Sequence, residues 1–436
     1  MKFSPVFQGK RFAVLGLGKA GLPAAAALAE MGAEVYVWDD SAPAREAAEG
    51  FVCKRPSEIG LKLDGLVLSP GIPHGLPKPH PEAEWAVARK IPILTDADLL
   101  FRAVRGSGSA AKFAGITGTN GKSTTTALLA HILSTAGIPN AAGANLGPAA
   151  LSLPLLPDSG VYVLEMSSYM LERIATLRFD VAAMLNLSPD HLDRHGDMAG
   201  YAAAKRRIFA RQDRRCVAVI GTDDAPSRKM AHWLEGRPGR VVRVSGKDFC
   251  VCNTRTLPGE HNAQNAFAAS EMARALKVPE AAIAEGIQTY PGLPHRQAEI
   301  AEIGGVRFVD DSKATNADAA SRAMGCYAHF IWSAGGVSKA GGAESLAGLF
   351  PRIGKAFLIG RDGREFAETL SRHGVANDVV GTLDAAVPAA FAAARVQGID
   401  VVLLSPACAS FDQFRSFEHR GEVFATLVQA LDGEAA

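Results

Sequence analysis

The residues best equipped for chemistry are Gly118-Thr119-Asn120-Gly121-Lys122-Ser123-Thr124. An apolar lead-in, Lys112-Phe113-Ala114, reads as the end of a strand. Ser123 to Ala136 reads as a helix, with Leu128, Leu129, Ile132 and Leu133 on one face. Glycines let backbone N–H groups approach phosphate oxygens, and the helix N-terminus adds its positive end. Lys122 supplies a charge for the outer phosphates, and the Ser123 hydroxyl can ligate magnesium. The common phosphate-loop template places a glycine five residues before Gly121, where this chain has Ile116, so the motif is Gly118-x-x-Gly121-Lys122-Ser123. A turn that binds nothing would not require Lys-Ser at its end. ATP with magnesium is the ligand this pattern fits.

A second glycine-rich turn, Gly16-Leu17-Gly18-Lys19-Ala20-Gly21, follows the strand Arg11 to Leu15 and opens a helix to about Met31. The next strand, Glu34 to Trp38, ends in Asp39-Asp40. Alone this argues for a nicotinamide dinucleotide, and so for an oxidoreductase. The physics is broader: glycines and helix end select a pyrophosphate, and the acids select a ribose or base edge. Any nucleoside diphosphate conjugate satisfies them, and an oxidoreductase leaves Lys122 unexplained.

Three further residues could serve the phosphate loop. Glu165 ends the strand Val161 to Leu164, where ligands bind in open α/β sheets, and carboxylate oxygens suit a hard cation. His191 follows the strand Val181 to Leu187; pattern alone makes it a turn histidine. Lys205 lies on a helix from Tyr201 to Arg211, beside Arg206, Arg207 and Arg211, and pattern alone makes it a solvated surface lysine. Asp311 and Lys313 follow a hairpin, Ala298 to Ile303 and Val306 to Val309 around Gly304-Gly305, and read as turn chemistry plus a surface charge.

These sites need elements to hold them. Strands alternate with helices along the whole chain, which predicts mostly parallel, doubly wound sheets. Later strands read at Val217 to Ile220, Phe330 to Trp332, Ala356 to Ile359 and Val401 to Leu404, and a long helix reads from Glu260 to Leu276. Thr95-Asp96 starts a helix to Phe101, and Arg105-Gly106-Ser107-Gly108-Ser109 reads as a linker. A length of 436 residues predicts two to four domains, and 48% apolar residues fill their cores. A net charge of +1 gives no support for nucleic-acid binding. The 6 cysteines form no disulfide framework, and Cys250-x-Cys252 reads as ordinary thiols, which suggests a reducing cytoplasm. No signal-peptide core or membrane span is seen.

Several motifs together carry a resemblance over nearly the whole chain. They are the Gly118 to Ser123 loop, Asp190-His191-Leu192-Asp193-Arg194, Pro294-His295-Arg296, Asp311-Ser312-Lys313-Ala314-Thr315-Asn316, and Ser405-Pro406-Ala407-Cys408-Ala409-Ser410-Phe411-Asp412-Gln413-Phe414. The set resembles the Mur ligases of peptidoglycan synthesis, and its last two motifs resemble those of the branch that adds D-glutamate. The loop alone is shared with folylpolyglutamate synthase, which is expected to lack an N-terminal nucleotide domain of this kind. A non-catalytic scaffold would not need Lys122, Glu165, His191 and Lys205 intact.

The resemblance implies an α/β protein of three domains: a Rossmann-like UDP-substrate domain (1–104), a central P-loop ATPase domain (105–293) and a Rossmann-like C-terminal domain (294–436) binding ATP and glutamate. It assigns Gly16, Leu17, Gly18, Lys19, Asp39, Asp40, Ser69, Gly71, Asn145, Ser167 and Ser168 to the UDP substrate. Gly118 to Thr124, Asn265, Arg296 and Asp311 are assigned to ATP. Lys313, Thr315, Lys339, Ser410, Phe411 and Phe417 are assigned to glutamate. Ser123, Glu165, His191 and Lys205 are assigned to magnesium, with Lys205 carbamylated by carbon dioxide, and Lys122, His191 and Lys205 to catalysis. The implied reaction joins D-glutamate to UDP-MurNAc-L-Ala through an acyl phosphate, in a cytoplasmic monomer. One departure is Met170, where the family commonly has Gln.

Overall fold

The structure is a computed structural model that describes residues 3–251, 254, 256–338 and 342–435. Its first sheet joins β1 (Arg11–Leu15), β2 (Glu34–Trp38), β3 (Val52–Cys53), β4 (Gly65–Leu68) and β5 (Ile93–Leu94) in the order β3-β2-β1-β4-β5. All four pairings are parallel. Strands covered on both faces read as continuous apolar runs, and the buried Phe12-Ala13-Val14-Leu15 and Leu66-Val67-Leu68 do so. The chain leaves β1 toward β2, while β4 lies on the other flank. The ends of β1 and β4 therefore form a topological switch point, the place where open α/β sheets take ligands.

The second sheet joins β6 (Lys112–Thr117), β7 (Asn140–Ala144), β8 (Val161–Glu165), β9 (Val181–Met184), β10 (Val217–Gly221) and β11 (Arg240–Val244), in the order β11-β10-β9-β6-β8-β7, again parallel throughout. β6 is flanked by β8 and β9, so Thr117, Glu165 and Met184 end side by side. One apolar core runs from the first sheet into the second. Phe101 meets Phe113 edge-on at 5.2 Å, and Phe113 stacks on Tyr162 at 4.8 Å.

The third sheet joins β12 (Ala298–Ile303), β13 (Val306–Asp310), β14 (Phe330–Gly335), β15 (Ile353–Ile359), β16 (Asn377–Gly381) and β17 (Val401–Leu404), in the order β12-β13-β17-β14-β15-β16. Only β12 runs antiparallel, as the hairpin around Gly304-Gly305 requires. Alternate residues fill two cores. Val309, Trp332 and Leu403 face one side, and Phe308, Ile331 and Val402 face the other.

The chain packs as two compact units, Met1–Cys252 with Asn262–Tyr290, and Asn253–His261 with Pro291–Ala436. The first unit holds the first two sheets and the second unit holds the third. No helix among the described residues is long and apolar enough to cross a membrane.

Several local expectations shift. The helix after Thr95 runs Asp96–Gly106, so two residues of the supposed linker are helical, and Arg105 binds the carbonyls of Ser109 (2.8 Å) and Ala111 (2.9 Å). The helix carrying Lys205 is Met198–Arg206, not Tyr201 to Arg211. Asp197 starts it by accepting from Gly200 N at 2.8 Å. β9 stops at Met184, which leaves residues 185–187 to turn toward the phosphate loop. Cys53, Cys216, Cys326 and Cys408 are free, with Cys53 exposed, whereas Cys250 is disulfide-bonded and so not the ordinary thiol expected.

Candidate active site

The phosphate loop is built as its sequence requires. β6 ends at Thr117, the chain turns through residues 118–120, and Gly121 takes a left-handed φ of 83° to start the helix Lys122–Thr135. A side chain on Gly121 would run into the amide of Asn265, so only glycine admits the helix Glu260–Ala275 this close. Asn186, which the sequence reading did not single out, holds the turn. Its carbonyl accepts from Thr119 N (3.0 Å), its Oδ1 accepts from Asn120 N (2.8 Å), and its Nδ2 donates to Asn120 O (3.0 Å). The available signal was an amide two residues past an apolar strand, at the sheet edge where ligands bind. Lys122 Nζ curls back onto the carbonyls of Gly118 (3.0 Å) and Thr119 (2.8 Å). Ser123 is buried beneath the turn.

Lys205 is not a surface lysine. It is 1% exposed; its Nζ donates to Gly118 O at 2.8 Å and lies 4.7 Å from the centre of the Tyr201 ring. Burial, and then the Lys122 charge, hold its amine well below the ordinary lysine range, while Asp190 and Glu165 pull the other way. The reading of Lys205 as a solvated helix residue is therefore corrected: its helix turns it inward although its arginine neighbours are polar.

Glu165 is equally buried, at 2% exposure. Its Oε1 accepts from Asn145 Nδ2 at 2.6 Å, and its Oε2 has no hydrogen-bond partner. A buried carboxylate oxygen left unpaired is costly, and a cation beside it satisfies it. His191 sits in the left-handed region (φ 53°) at the start of the helix Leu192–His195. Its ring packs against Tyr169 at 5.0 Å and its Nε2 lies 3.4 Å from Asp190 Oδ2. His195, at the end of the same helix, has no part in the sequence reading. Its ring is buried between Glu172 Oε1 and Ser168 Oγ, both at 2.9 Å, and burial depresses its basicity. As encoded, no group of three or more His, Cys, Asp or Glu among the described residues is arranged to hold a metal.

At the switch point of the first sheet lies a cavity of about 530 Å³ lined by Gly16, Gly18, Lys19, Asp39, Asp40, Ser69 and Asn145, with Met170 at its wall. Gly21 closes the turn: a Cβ there would strike the Gly16 carbonyl. Asp39 is spent internally, accepting from Leu17 N (2.7 Å) and Ser41 N (2.8 Å). Asp40 Oδ2 faces His80 Nε2 at 3.0 Å. Leu17, Gly71, Ser167 and Ser168 do not line this cavity. Ser167 caps the short helix Ser168–Leu171, and the Gly71 carbonyl accepts from Arg194 at 3.0 Å. Asn145 belongs to the cavity and also holds Glu165, which ties the two sites of this unit together.

In the second unit, Asp311 leaves β13 and its Oδ2 accepts from Ser405 Oγ, at the end of neighbouring β17, at 2.7 Å. Burial pushes its carboxyl up to about 7. Asp310 Oδ2 lies 2.6 Å from His295 Nδ1 and raises the basicity of that ring. Lys313 Nζ rests 3.7 Å from the Phe417 ring centre. Buried Arg420, also absent from the sequence reading, ties Ser312 Oγ (2.9 Å), Ser312 O (2.8 Å) and Cys408 O (3.1 Å) together. Ser410 is buried, Phe411 is 76% exposed, and Thr315 N donates to Lys313 O at 2.9 Å. Arg296 N donates to Leu293 O at 3.3 Å on the same segment. Lys339 lies outside the described residues.

Fold and loop define a phosphate-loop protein with a second glycine-turn pocket in the same unit. Residues 116–251 match the family model described as Mur ligase middle domain. The chain is 49% identical to a UDP-N-acetylmuramoylalanine--D-glutamate ligase of Paramagnetospirillum magneticum, with 98% of each chain covered. It is 45% identical to the ligase of the same name from Caulobacter vibrioides, over 98% of this chain and 97% of that one. Among solved structures it is similar to UDP-N-acetylmuramate-alanine ligase MurC of Thermotoga maritima, with a TM-score of 0.57, 16% identity, and 97% of this chain and 99% of that one covered. A MurF ligase of the same organism in complex with ADP gives a TM-score of 0.59 at 16% identity, over 86% and 90%. The chain belongs to the Mur ligase family, and its sequence places it with the D-glutamate ligases of that family.

Proposed function

We infer that the protein is an ATP-dependent amide ligase that adds D-glutamate to UDP-N-acetylmuramoyl-L-alanine, in cytoplasmic peptidoglycan precursor synthesis. The observation that carries this is near-full-length identity of 49% to a ligase so named, together with the intact Lys122 loop, Glu165 and buried Lys205. One sheet within each of the segments 1–104, 105–293 and 294–436 supports a reading as three domains.

A carboxylate and an amine do not condense directly, because the leaving group would be hydroxide. The alanine carboxylate attacks the γ-phosphate of ATP, giving an acyl phosphate and ADP. The glutamate amine then attacks the carbonyl carbon, and phosphate leaves with the bonding pair. Lys122 and the loop amides hold the phosphates and stabilise charge on the oxygens in transfer. Gly118 to Thr124 and Asn265 hold the nucleotide from the first unit, and Arg296 and Asp311 are the nucleotide residues of the second. The cavity residues Gly16, Gly18, Lys19, Asp39, Asp40, Ser69 and Asn145 take the UDP end, and Lys313, Thr315, Lys339, Ser410, Phe411 and Phe417 take glutamate.

The unpaired Glu165 Oε2 fits a magnesium ion, with Ser123 and His191 as companions. Magnesium supplies charge neutralisation at the phosphates. Lys205 joins the set only as a carbamate. Its buried amine is held toward the neutral form, which would bond to the carbon of carbon dioxide and release one N–H proton, leaving a negative charge and two oxygens. Phosphate release measured with ATP, UDP-N-acetylmuramoyl-L-alanine and each glutamate enantiomer tests the whole reading. Turnover with the D form alone supports it. Equal turnover without any glutamate removes the ligase assignment.

A further inference from the structure

We propose that Arg173 is a positioning residue for the UDP end of the substrate, presetting the turn after β4 that forms one wall of the cavity at the switch point. This rests on the assignment of that cavity to the UDP substrate. Arg173 follows the short helix Ser168–Leu171 and is 4% exposed. Its Nη1 donates to Leu68 O (2.8 Å) and Ser69 O (3.0 Å), its Nη2 to Ile72 O (2.5 Å), and its Nε to His74 Nδ1 (3.3 Å). One planar fork thus engages a single seven-residue segment, 68–74. All four acceptors are neutral. The adjacent Glu172 carboxylate is turned to His195, at 2.9 Å.

A buried guanidinium with no carboxylate partner is expensive to desolvate, and an aliphatic side chain would fill the space at less cost. What a fork offers in exchange is geometry: several donors in one rigid plane. The segment has need of it. Pro70 has no N–H, Gly71 is exposed and permissive, and the main-chain bonds of the turn are Ser69 N to Leu15 O (3.0 Å), Ile72 N to Ser69 O (3.1 Å) and His80 N to Pro73 O (2.9 Å). Ser69, Pro70 and Ile72 all line the cavity, and Ser69 Oγ binds Gly16 O at 2.8 Å, so an error in this turn reaches the glycine loop directly. Met170, on the same helix, offers the cavity wall no strong hydrogen-bonding group. The helix acts on the ligand through the turn.

The test is steady-state kinetics of Arg173→Met and Arg173→Lys. Both should raise the KM for UDP-N-acetylmuramoyl-L-alanine by about tenfold or more, with kcat and the KM for ATP within about twofold, because misplacement of a positioning group is felt by the group it positions. Restoration of the KM by lysine would show that charge alone acts, and would overturn the proposal. So would an equal loss in every parameter with a fall in Tm, the mark of a merely structural residue. Should neither variant fold, hydrogen exchange on the unmodified protein decides. The amides of Ser69 and Ile72, bonded to Leu15 O and Ser69 O, should exchange slowly before UDP is added, and free exchange until UDP binds overturns the claim. Lys19→Ala, inside the cavity, checks the underlying assignment. Unchanged UDP affinity there removes the cavity reading itself, whereas an effect of Lys19→Ala without one of Arg173→Met removes only the positioning role.

Discussion

Lys205 shows how far a single residue can depart from its neighbours. Arg206 lies over the Trp233 ring at 4.6 Å and Arg207 donates to Leu171 O (2.8 Å) and Ile174 O (2.9 Å), while Lys205 sits at 1% exposure against Gly118 O. An ammonium there would add a positive charge next to Lys122; a carbamate would add a negative one next to an unpaired carboxylate and its cation. Lys205→Ala should be nearly inactive, with partial rescue by acetate or formate, and activity of the unmutated enzyme should fall in carbon-dioxide-depleted buffer and recover with bicarbonate. Normal turnover of Lys205→Ala would end the carbamate reading. Asp311 makes a pH prediction. Its carboxyl is pushed by burial from 3.8 to about 7, so the folded state keeps a proton that the unfolded state has lost. The unfolded chain binds fewer protons in that window, so this group's contribution to stability is intact below pH 4 and is lost as pH rises toward 7. Asp311→Asn should lack that slope, and should be more stable than the parent near pH 8 by on the order of 2–4 kcal/mol, before any cost of the lost Ser405 bond. Denaturant melts of both proteins at pH 5 and 8 check the sign; parallel pH dependence in the two would refute it.

At the scale of elements, strand, turn and helix around Lys122 form one device, and the cavity at the first switch point forms another. Lys122→Ala should cost roughly 10²–10³ in ATP turnover while UDP still binds. Calorimetry with UDP on the folded variant is the check, and lost UDP binding would mean the two sites are wrongly separated. The elements that carry these devices were legible because strand, glycine turn and helix occur together with the periodicity each needs. The hairpin around Gly304-Gly305 was legible to within one residue, because its turn chemistry is specific. What escaped was structure set by context. β3 and β5 are two residues long, and β7, Asn-Ala-Ala-Gly-Ala, has little intrinsic strand preference; the pairing partner β8 makes it a strand. Lys205, Asn186, Arg173 and Arg420 escaped for the same reason. Burial of a polar side chain depends on what lies across from it, which the local sequence does not contain.

For the whole molecule, the two units carry different chemical assignments. UDP should slow exchange of the amides around Gly16 to Gly21 in the first unit, and glutamate should act on residues 311–316 in the second. Protection by UDP confined to the second unit would reverse the assignment.

The carbonyl oxygen of Gly118 accepts from both Lys122 (3.0 Å) and Lys205 (2.8 Å). Two lysine side chains drawn to one oxygen form an interlock. A carbamate on Lys205 would weaken its hold on that oxygen and add an attraction to Lys122, which would alter the free energy with which Lys122 can leave the loop for a phosphate. Carbon dioxide and nucleotide would then be reciprocal effectors of one another: whatever factor dissolved carbon dioxide applied to the affinity for ADP, ADP would apply to the retention of carbon dioxide. Titrations of ADP at two carbon dioxide pressures should give different dissociation constants, and the difference should vanish in Lys205→Ala.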